Sequence, residues 1–292
     1  MEGVLQAPDT LSGPRRKWSA VSARMRVELC YLWGHGRRPD LRKAARFTEK
    51  VQLRKLHDRD PRHPALMDKL AAKAMAARTL GPEWTIETLR SGETFPGPGA
   101  LAAPAIVKAR HGCNQYQVFR DLPSPGQWAA LGRRSKRWMA TAYGGWLDEW
   151  AYRDVPRGIL AEPLITGTGP LPVDYKIYVF GGHATHVQVH LGRGARHRWL
   201  LHDRTFTPLV PGAERTSAPG SLTAMLDAAE TLAKGQDFLR ADFYEVEGRP
   251  LFGEFCLYPG SGLDPFAEDW IDFELGRLWN LAARPSANPE FH

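Results

Sequence analysis

The amino-acid sequence predicts an α+β fold with two lobes, because a helical first third precedes a series of antiparallel hairpins. Between Trp18 and Leu89 the apolar residues recur at helical spacing, whereas from residue 105 onward short strand patterns alternate with turn residues. The 292 residues, 43% of them apolar, are enough to bury one full core or two lobes that share a cleft.

Four regions follow from these patterns. We expect a flexible N-terminus over residues 1–17, which are rich in Pro, Gly and Ser, and a helical N-terminal region over residues 18–90. Residues 91–103 are rich in Pro and Gly and are interpreted as a linker. A small lobe is expected over residues 104–165 and a large lobe over residues 166–292.

Apolar spacing and stop signals predict helices on both sides of this linker. One helix carries Leu66, Leu70 and Met75 and is expected to stop near Gly81-Pro82. Later in the chain the same signals predict helices over Gly126–Trp150, over Ser221–Ala233 with Ser221 as a candidate N-cap, and over Ala267–Leu281.

Turn residues between short apolar runs predict three hairpins after residue 104. They are Ala105–Ala109 with Tyr116–Arg120, Val173–Phe180 with His183–Val189 around Gly181-Gly182, and Phe238–Val246 with Leu251–Leu257 around Gly248.

The last hairpin carries the most informative charges. Alternate side chains on a strand share a face, so Arg240 and Asp242 are expected to point the same way. By the same rule Phe252, Glu254 and Cys256 are expected to share one face of the second strand.

A three-residue loop centred on Gly248 would pair residue 246 with residue 250 and set Asp242 directly opposite Glu254. Like charges that face each other destabilise a sheet unless a cation neutralises them, and oxygen-only ligands favour Mg²⁺ or Mn²⁺. A metal site and a structural ion-pair network are equally compatible with this geometry.

Composition narrows the class of partner. The formal charge of +7 indicates an acidic partner, but the basic residues form no long block, which disfavours nucleic acid. Three widely spaced cysteines, Cys30, Cys113 and Cys256, favour a reduced cytoplasmic protein. No apolar run approaches the roughly 20 residues of a membrane span, so no membrane-spanning helix is expected.

Five blocks of sequence, taken in order, resemble the TupA-like ATP-grasp family, which is associated with polysaccharide and teichuronopeptide biosynthesis. The resemblance extends over about Phe47 to Leu278. The blocks are Phe47-Thr48-Glu49-Lys50 with Asp68-Lys69-Leu70; residues 106–112; residues 159–164; residues 173–182 with Asp174-Tyr175-Lys176; and residues 238–244 with Phe252-Gly253-Glu254 through Pro259-Gly260-Ser261-Gly262.

The resemblance implies an ATP-grasp fold, with ATP held between two α+β lobes. Lys108 would reach the phosphates from the small lobe, the loop at residues 111–114 would cover them, and Glu162 would lie in the segment that lines the adenine and ribose pocket. The full nucleotide set implied is Lys108, His111, Gly112, Cys113, Asn114, Glu162, Leu164, Asp174 and Lys176.

The resemblance also implies the catalytic and metal residues. Lys176 would contact phosphate oxygens, Arg240 would steady a developing acyl phosphate, and Asp242 and Glu254 would hold Mg²⁺, with Mn²⁺ as a substitute. This chain departs from the family pattern at Cys256, where many members have Asn, and thiolate is a poor ligand for Mg²⁺. It departs again at residues 111–114, where the family more often has a Ser-Gly pair.

Two further sets of residues are candidates for substrate contact. Arg193 and Arg196 belong to a basic cluster that fits either a solvated surface or the recognition of an anionic acceptor. Ser261 and Gly262 lie in a loop whose backbone N–H groups can hold an anion. The spacing of His186 and His190 does not match a zinc site, so a solvated or substrate-facing strand is the preferred interpretation.

The function that these residues predict is carboxylate–amine ligation driven by Mg-ATP, on a sugar, glycan or amino-acid substrate. An alternative is a phosphotransferase that acts on a sugar or glycan hydroxyl with the same nucleotide site. A third interpretation is a nucleotide-binding protein without catalysis, which would tolerate replacement of Asp242 or Glu254. A glycan- or nucleic-acid-binding module would leave the lysines and carboxylates unexplained.

Overall fold

A computed structural model of the chain describes residues 22–94, 97, 99–165, 171–192, 197–212 and 214–281. The described residues form seven α-helices and nine β-strands, arranged around two antiparallel sheets. None of the helices in these ranges is both long enough and apolar enough to cross a bilayer.

The helices surround both sheets. Four of them precede the first strand, and three lie between or after the later strands. They are α1 (Ala23–His35), α2 (Phe47–His57), α3 (His63–Met67), α4 (Lys69–Leu80), α5 (Pro125–Ala140), α6 (Leu222–Leu232) and α7 (Asp269–Leu278).

The strands fall into two groups along the chain. They are β1 (Arg90–Gly92), β2 (Ala105–Ala109), β3 (Tyr116–Phe119), β4 (Ile159–Pro163), β5 (Asp174–Phe180), β6 (His183–Leu191), β7 (Arg198–Asp203), β8 (Phe238–Val246) and β9 (Arg249–Cys256). Short 3₁₀ turns occur at Pro82–Trp84, Trp150–Tyr152 and Pro259–Gly262.

The first four strands form the small sheet, in the order β1-β4-β2-β3. Helix α5 packs on it and buries Leu131 and Trp138 against Val107 and Phe119. This helix begins with a capping box, in which the Ser124 hydroxyl accepts from the Gln127 N–H while the Gln127 side chain accepts from the Ser124 N–H.

The remaining strands form the large sheet, in the order β7-β6-β5-β8-β9. One face of it is apolar and packs against α6, where Met225 and Ala229 are fully buried. The buried strand residues on this side belong to the same core cluster, and they include Ile177, Val187, Leu239, Ala241 and Phe243.

The helical N-terminal region shares the core of the large sheet. Phe47 of α2 places its ring 5.0 Å from the Phe238 ring and 5.5 Å from the Trp279 ring. Helix α2 also contacts α7 and the turn at Pro259–Gly262, and α3 and α4 pack on β9. The helices before β1 are therefore continuous with the large lobe, and the predicted domain boundaries stay predictions.

Helix positions agree with the sequence prediction better than helix ends do. The helix expected over Gly126–Trp150 ends at Ala140, because Thr141 is extended, and Gly144 and Asp148 then adopt left-handed φ angles of 71° and 56°. The helix expected over Ala267–Leu281 is shorter, at Asp269–Leu278. Both expectations were too long by one turn or more.

Two further expectations about helices need correction. The helix through Leu66 and Met75 is interrupted at Asp68, whose side chain accepts from the Leu70 N–H and so caps α4. Ser221 makes no side-chain cap for α6, because its hydroxyl donates to Glu245 at 2.5 Å.

Candidate functional site

Polar side chains line the face of the large sheet that is turned away from α6. Residues directly opposite in an antiparallel pair lie on the same face, so the register groups them into rows. One row runs Gln188, Lys176, Asp242 and Glu254 across β6, β5, β8 and β9. Asp174 on β5 and Arg240 on β8 lie on the same face, two residues away along each strand.

The pairing of Asp242 with Glu254 is confirmed, but its predicted cause was wrong. The turn at Glu247-Gly248 has two residues with φ angles of 51° and 75°, so Val246 pairs with Arg249. A β-bulge then shifts the register between Asp242 and Phe243. The turn is one residue shorter than expected, which alone would pair Asp242 with Gly253. The bulge contributes one extra residue on β9, so Asp242 pairs with Glu254.

The bulge also corrects the predicted face of Phe252. Phe252 pairs with Phe243, and their rings lie 5.9 Å apart in the core of the large sheet. It therefore does not share the face of Glu254, as strict alternation would require. Alternation failed here because the extra residue of the bulge falls between these two positions.

Asp242 lies at the centre of a buried ion network. Arg240 donates to its two carboxylate oxygens at 2.7 and 2.8 Å, and the Lys176 ammonium donates to the same carboxylate. Lys176 also lies 2.6 Å from Asp174. Asp242 is 1% exposed, and its attraction to the two cations offsets the desolvation free energy of its buried charge.

The pKa values of this network follow from burial and from the partners. Burial raises the pKa of the Asp242 carboxyl, and Arg240 and Lys176 oppose that rise. Burial lowers the pKa of Lys176, but Asp174 and Asp242 outweigh it and raise that pKa above its ordinary value. Lys176 is therefore an ammonium at neutral pH, with the charge that contact with a phosphate requires.

Glu254 connects the large sheet to α4 and to the small lobe. Its carboxylate lies 3.4 Å from the ammonium of Lys69, which also donates to the Gly112 carbonyl at 2.6 Å. Burial raises the pKa of Glu254, but Lys69 and Lys176 outweigh burial and lower it. One side chain of α4 thus touches both the hairpin predicted to bind the metal and the loop predicted to cover phosphates.

A second network lies on the small sheet. The Glu162 carboxylate, 3% exposed, accepts from Lys108 at 2.6 Å and also from Lys73 of α4. Lys73 donates as well to the Thr88 hydroxyl at 2.8 Å. Burial raises the pKa of Glu162, but the two lysines outweigh burial and hold that pKa low. Lys69 and Lys73 are one helical turn apart, so α4 presents one cation to each network.

The loop at residues 111–114 is anchored by its first three residues. His111 is buried, donates from Nε2 to the Trp138 carbonyl at 3.0 Å and accepts from the Gly158 N–H at Nδ1. Burial lowers the pKa of His111, in keeping with this neutral tautomer. The Cys113 thiol lies 2.9 Å from the Tyr152 hydroxyl, and Asn114 has a left-handed φ of 57°.

The other predicted site residues occupy different places. Leu164 is buried at the end of β4, where its N–H donates to the Pro104 carbonyl. Ser261 and Gly262 lie in the turn after β9, and their carbonyls accept from side chains of α2. Arg193 and Arg196 lie outside the described residues.

A comparison with models of protein families identifies the family to which this chain belongs. The model described as TupA-like ATPgrasp matches residues 49–280. The chain belongs to the TupA-like ATP-grasp family. The family and the ATP-grasp fold predicted from the sequence are thus confirmed. A comparison with curated proteins finds no match.

Two solved structures of ligases align with part of this chain. D-alanine–D-alanine ligase from Bacillus anthracis aligns with 67% of this chain and 57% of its own, at 14% identity and a TM-score of 0.41. The D-cycloserine synthetase DcsG aligns with 75% of this chain and 70% of its own, at 15% identity and a TM-score of 0.43. This TupA-like chain therefore spans little more than half the length of the first ligase.

The donor chemistry of the paired carboxylates fits the magnesium ion that ATP-grasp proteins use. Asp242 and Glu254 are oxygen donors directly opposite each other, and Mg²⁺ takes one or two carboxylates and completes its shell with waters and phosphates. Lys176 and Lys69 now neutralise these two acids. No cluster of three or more His, Cys, Asp or Glu residues suited to a metal occurs within the described ranges.

The histidines of β6 take part in the same polar face without forming such a cluster. His190 lies opposite Asp174, and its Nδ1 is 3.0 Å from Nε2 of His197. Burial, followed by the nearby charge of Lys176, lowers the pKa of His190 to about 2, so its imidazole stays neutral at physiological pH.

The sequence analysis did not assign a role to Lys69, Lys73 or Lys55, although each one contacts a predicted site residue. The available signal was the Asp68-Lys69-Leu70 block of the family pattern. The helical spacing of Lys69 and Lys73 adds that both side chains share one face of α4.

Proposed function

We propose that this TupA-like ATP-grasp protein is a Mg-ATP-dependent ligase that joins a carboxylate to an amine through an acyl phosphate. The observation that carries the proposal is the contact of Lys69 with both Glu254 and the Gly112 carbonyl. It brings the polar face of the large sheet next to the glycine-containing loop of the small lobe.

The cations around this contact suit a triphosphate. Among the described residues, Lys69, Lys73, Lys108, Lys176 and Arg240 surround four carboxylates, those of Glu162, Asp174, Asp242 and Glu254. Each cation is now held by a carboxylate, and phosphate oxygens are competing acceptors for the same donors. Lys108 would serve the phosphates from the small lobe, and Lys73 and Lys176 would serve them from the large one.

Asp242 and Glu254 are the residues that would hold Mg²⁺. When bound there, the metal neutralises charge on the nucleotide phosphates and on these two acids. Because Lys176 and Lys69 neutralise the acids in its absence, the proposal requires both lysines to transfer their contacts to phosphate oxygens.

The chemistry divides into two balanced steps. A substrate carboxylate oxygen attacks the γ-phosphorus and ADP leaves, which gives an acyl phosphate. An amine then attacks the acyl carbon, phosphate leaves, and the nitrogen loses a proton as the amide forms. The first step depends on positioning and on neutralising charge, which are the contributions of Lys176 and Arg240.

The substrate class rests on charge and on the family. A net charge of +7 favours acidic substrates, and the family is associated with polysaccharide biosynthesis. We therefore propose a sugar, glycan or amino-acid carboxylate, with the amine from an amino acid or amino sugar. A cytoplasmic location is part of the proposal and is supported by three free cysteines.

The deciding experiment measures ADP release from Mg-ATP in the presence of amino acids, amino sugars and uronic acids, singly and in pairs. The proposal expects one carboxylate and one amine to be required together, with equimolar free phosphate and an amide product of the corresponding mass. A product that retains the phosphate would identify a phosphotransferase instead. Stimulation that persists in Glu254→Gln would argue against the metal role of that residue.

A further inference from the structure

A buried lysine of α2 lies directly beneath the turn that follows β9. Lys55 is 2% exposed, and its ammonium donates to the Ser261 carbonyl at 2.6 Å, to the Ser261 hydroxyl at 2.7 Å and to the Gln52 side chain at 3.0 Å. These three acceptors match the three protons of an ammonium group. Burial lowers the pKa of Lys55 to about 8, so the fold bears a cost to keep this cation there.

The turn has a backbone conformation that needs support from outside. Gly260, Ser261 and Gly262 have consecutive left-handed φ angles of 53°, 57° and 63°. For Ser261, which has a Cβ atom, this conformation is strained. Gln52 adds a donor to both the Ser261 and Gly262 carbonyls at 3.0 Å. Helix α2 thus holds two consecutive carbonyls of the turn.

The held turn directly follows the hairpin that carries Arg240, the arginine of the proposed site. It follows β9 by three residues, and the last residue of β9, Cys256, is paired with Arg240. A Cβ atom on Gly260 would touch the side chain of Asp264, and Arg240 acts electrostatically on the pKa of Asp264. The Ser261 N–H already donates to the Tyr258 carbonyl at 2.8 Å, so a carboxylate or an acyl phosphate would be met by the Arg240 guanidinium and by other N–H groups of the turn.

We propose that Lys55 is a positioning residue of the ligase site, which fixes the turn at Pro259–Gly262 beside Arg240 so that the substrate carboxylate is held for phosphorylation. The proposal rests on the proposed ligase function for its chemical meaning. Its structural part, the control of the turn by Lys55, can be tested without any substrate.

Lys50 on the same helix provides a matched control. Its ammonium also donates to two backbone carbonyls, those of Gly276 at 2.8 Å and Trp279 at 2.7 Å. These carbonyls belong to the end of α7 and not to the turn. Lys50→Met therefore removes the same kind of contact from the same helix but leaves the turn untouched.

The first experiment compares hydrogen–deuterium exchange in the full chain and in Lys55→Met and Lys50→Met. We expect Lys55→Met to speed exchange at residues 257–263 by about tenfold or more, since a lost anchor allows local opening. Lys50→Met should instead speed exchange at residues 276–279. Unchanged exchange in Lys55→Met, or an equal rise at residues 257–263 in both variants, would overturn the proposal. If Lys55→Met does not fold, Ser261→Ala, which removes the hydroxyl that accepts from Lys55 and also contacts Glu149, is used with the same criteria.

The second experiment separates turnover from nucleotide binding. We expect Lys55→Met to lower the rate of ADP release from Mg-ATP by about tenfold or more, because small displacements at a reacting centre are costly. The Kd for the Mg²⁺ complex of the non-hydrolysable analogue AMPPNP should change by less than about twofold, and Lys55→Arg should recover part of the rate. Equal losses in rate and affinity would indicate a merely structural lysine. A parent protein that neither binds Mg-AMPPNP nor releases ADP would refute the ligase function, and the exchange result would still decide the role of Lys55.

Discussion

Neighbouring residues of β8 serve opposite faces of one sheet. Arg240 and Asp242 point to the polar face, where Asp242 contacts both Arg240 and Lys176, whereas Ala241 and Phe243 are fully buried in the apolar core. The two pairs of residues share one strand, so they differ in the interactions that stabilise their side chains on burial. Apolar side chains gain free energy by leaving water, and buried charges require partners to offset desolvation.

The contrast shows that one face of the sheet contributes mainly to folding stability and the other mainly to the proposed chemistry. The core face provides the apolar contacts that hold the strands together. The polar face holds cations and carboxylates in a fixed arrangement, where their net contribution to stability is small but their positions suit a charged ligand. Substitutions on the two faces should therefore have distinguishable effects.

Asp242→Asn should have the largest effect, because it acts on both properties. Arg240 and Lys176 are 8% and 6% exposed and would lose their shared carboxylate. Breaking a buried ion network by removing one partner costs about 3–5 kcal/mol of unfolding free energy. We expect ADP release to fall by about a thousandfold as well. Urea unfolding and ADP release measure the two losses, and a stable, active variant would contradict the network.

Phe243→Ala should affect stability alone. The side chain is fully buried and contacts Trp84 and Phe252, so its removal should cost about 3–5 kcal/mol of unfolding free energy. Urea unfolding checks this value. The Kd for Mg-AMPPNP of the folded fraction should stay at its parent value, and a large rise would show that the two faces are not independent.

Glu254→Gln should affect chemistry alone. Its side chain is 33% exposed and its contact with Lys69 is 3.4 Å, so the unfolding free energy should change by no more than about 1 kcal/mol. ADP release should fall by about a hundredfold, as expected when a group that neutralises transition-state charge is lost. Thermal unfolding and ADP release are measured on the same preparation. A loss of stability equal to that of Asp242→Asn would remove the distinction between the two carboxylates.

Lys108→Met should have the smallest effect of the four. Glu162 would keep Lys73 as its partner, so the small sheet should remain folded. We expect the Kd for Mg-AMPPNP to rise by about tenfold, the loss of roughly one charge-assisted hydrogen bond. Lys136→Met, at an exposed position of α5, is the control and should leave the Kd unchanged. Equal values for the two variants would place Lys108 outside the nucleotide site.

Local signals in the sequence were sufficient where the structure depends on neighbours in the chain. The Gly181-Gly182 turn, with φ angles of 56° and 88°, joins Phe180 to His183 as expected. The family pattern depends on ordered blocks, which the sequence displays directly. The end of α5 at Ala140 was missed, because apolar residues such as Trp146 continue the helical spacing beyond the point where the backbone turns.

Contacts between distant segments were not predictable in this way. The role of Lys69 depends on α4 packing against β9, and that of Lys55 depends on α2 packing against the turn at Pro259–Gly262. The family block that contains Lys69 marks its position but not its partners. Lys55 lies in a segment rich in charged residues, which is typical of an exposed helix.

The bulge before Glu254 decides which face of the sheet carries this carboxylate, and the proposed chemistry depends on that face. If the ladder ran unbroken from the Val246–Arg249 pair, Glu254 would stand opposite Ala241 and its carboxylate would enter the apolar core. Gly253 is the extra residue of the bulge, and it moves Glu254 from the core face to the polar face. A Cβ atom added at Gly253 would lie only 3.1 Å from the Asp242 carbonyl oxygen. Deletion of Gly253 would bring Glu254 opposite Asp242 by regular pairing, because Glu254 would then follow Phe252 directly. With Gly253 present, only the bulge keeps the Glu254 carboxylate out of the apolar core.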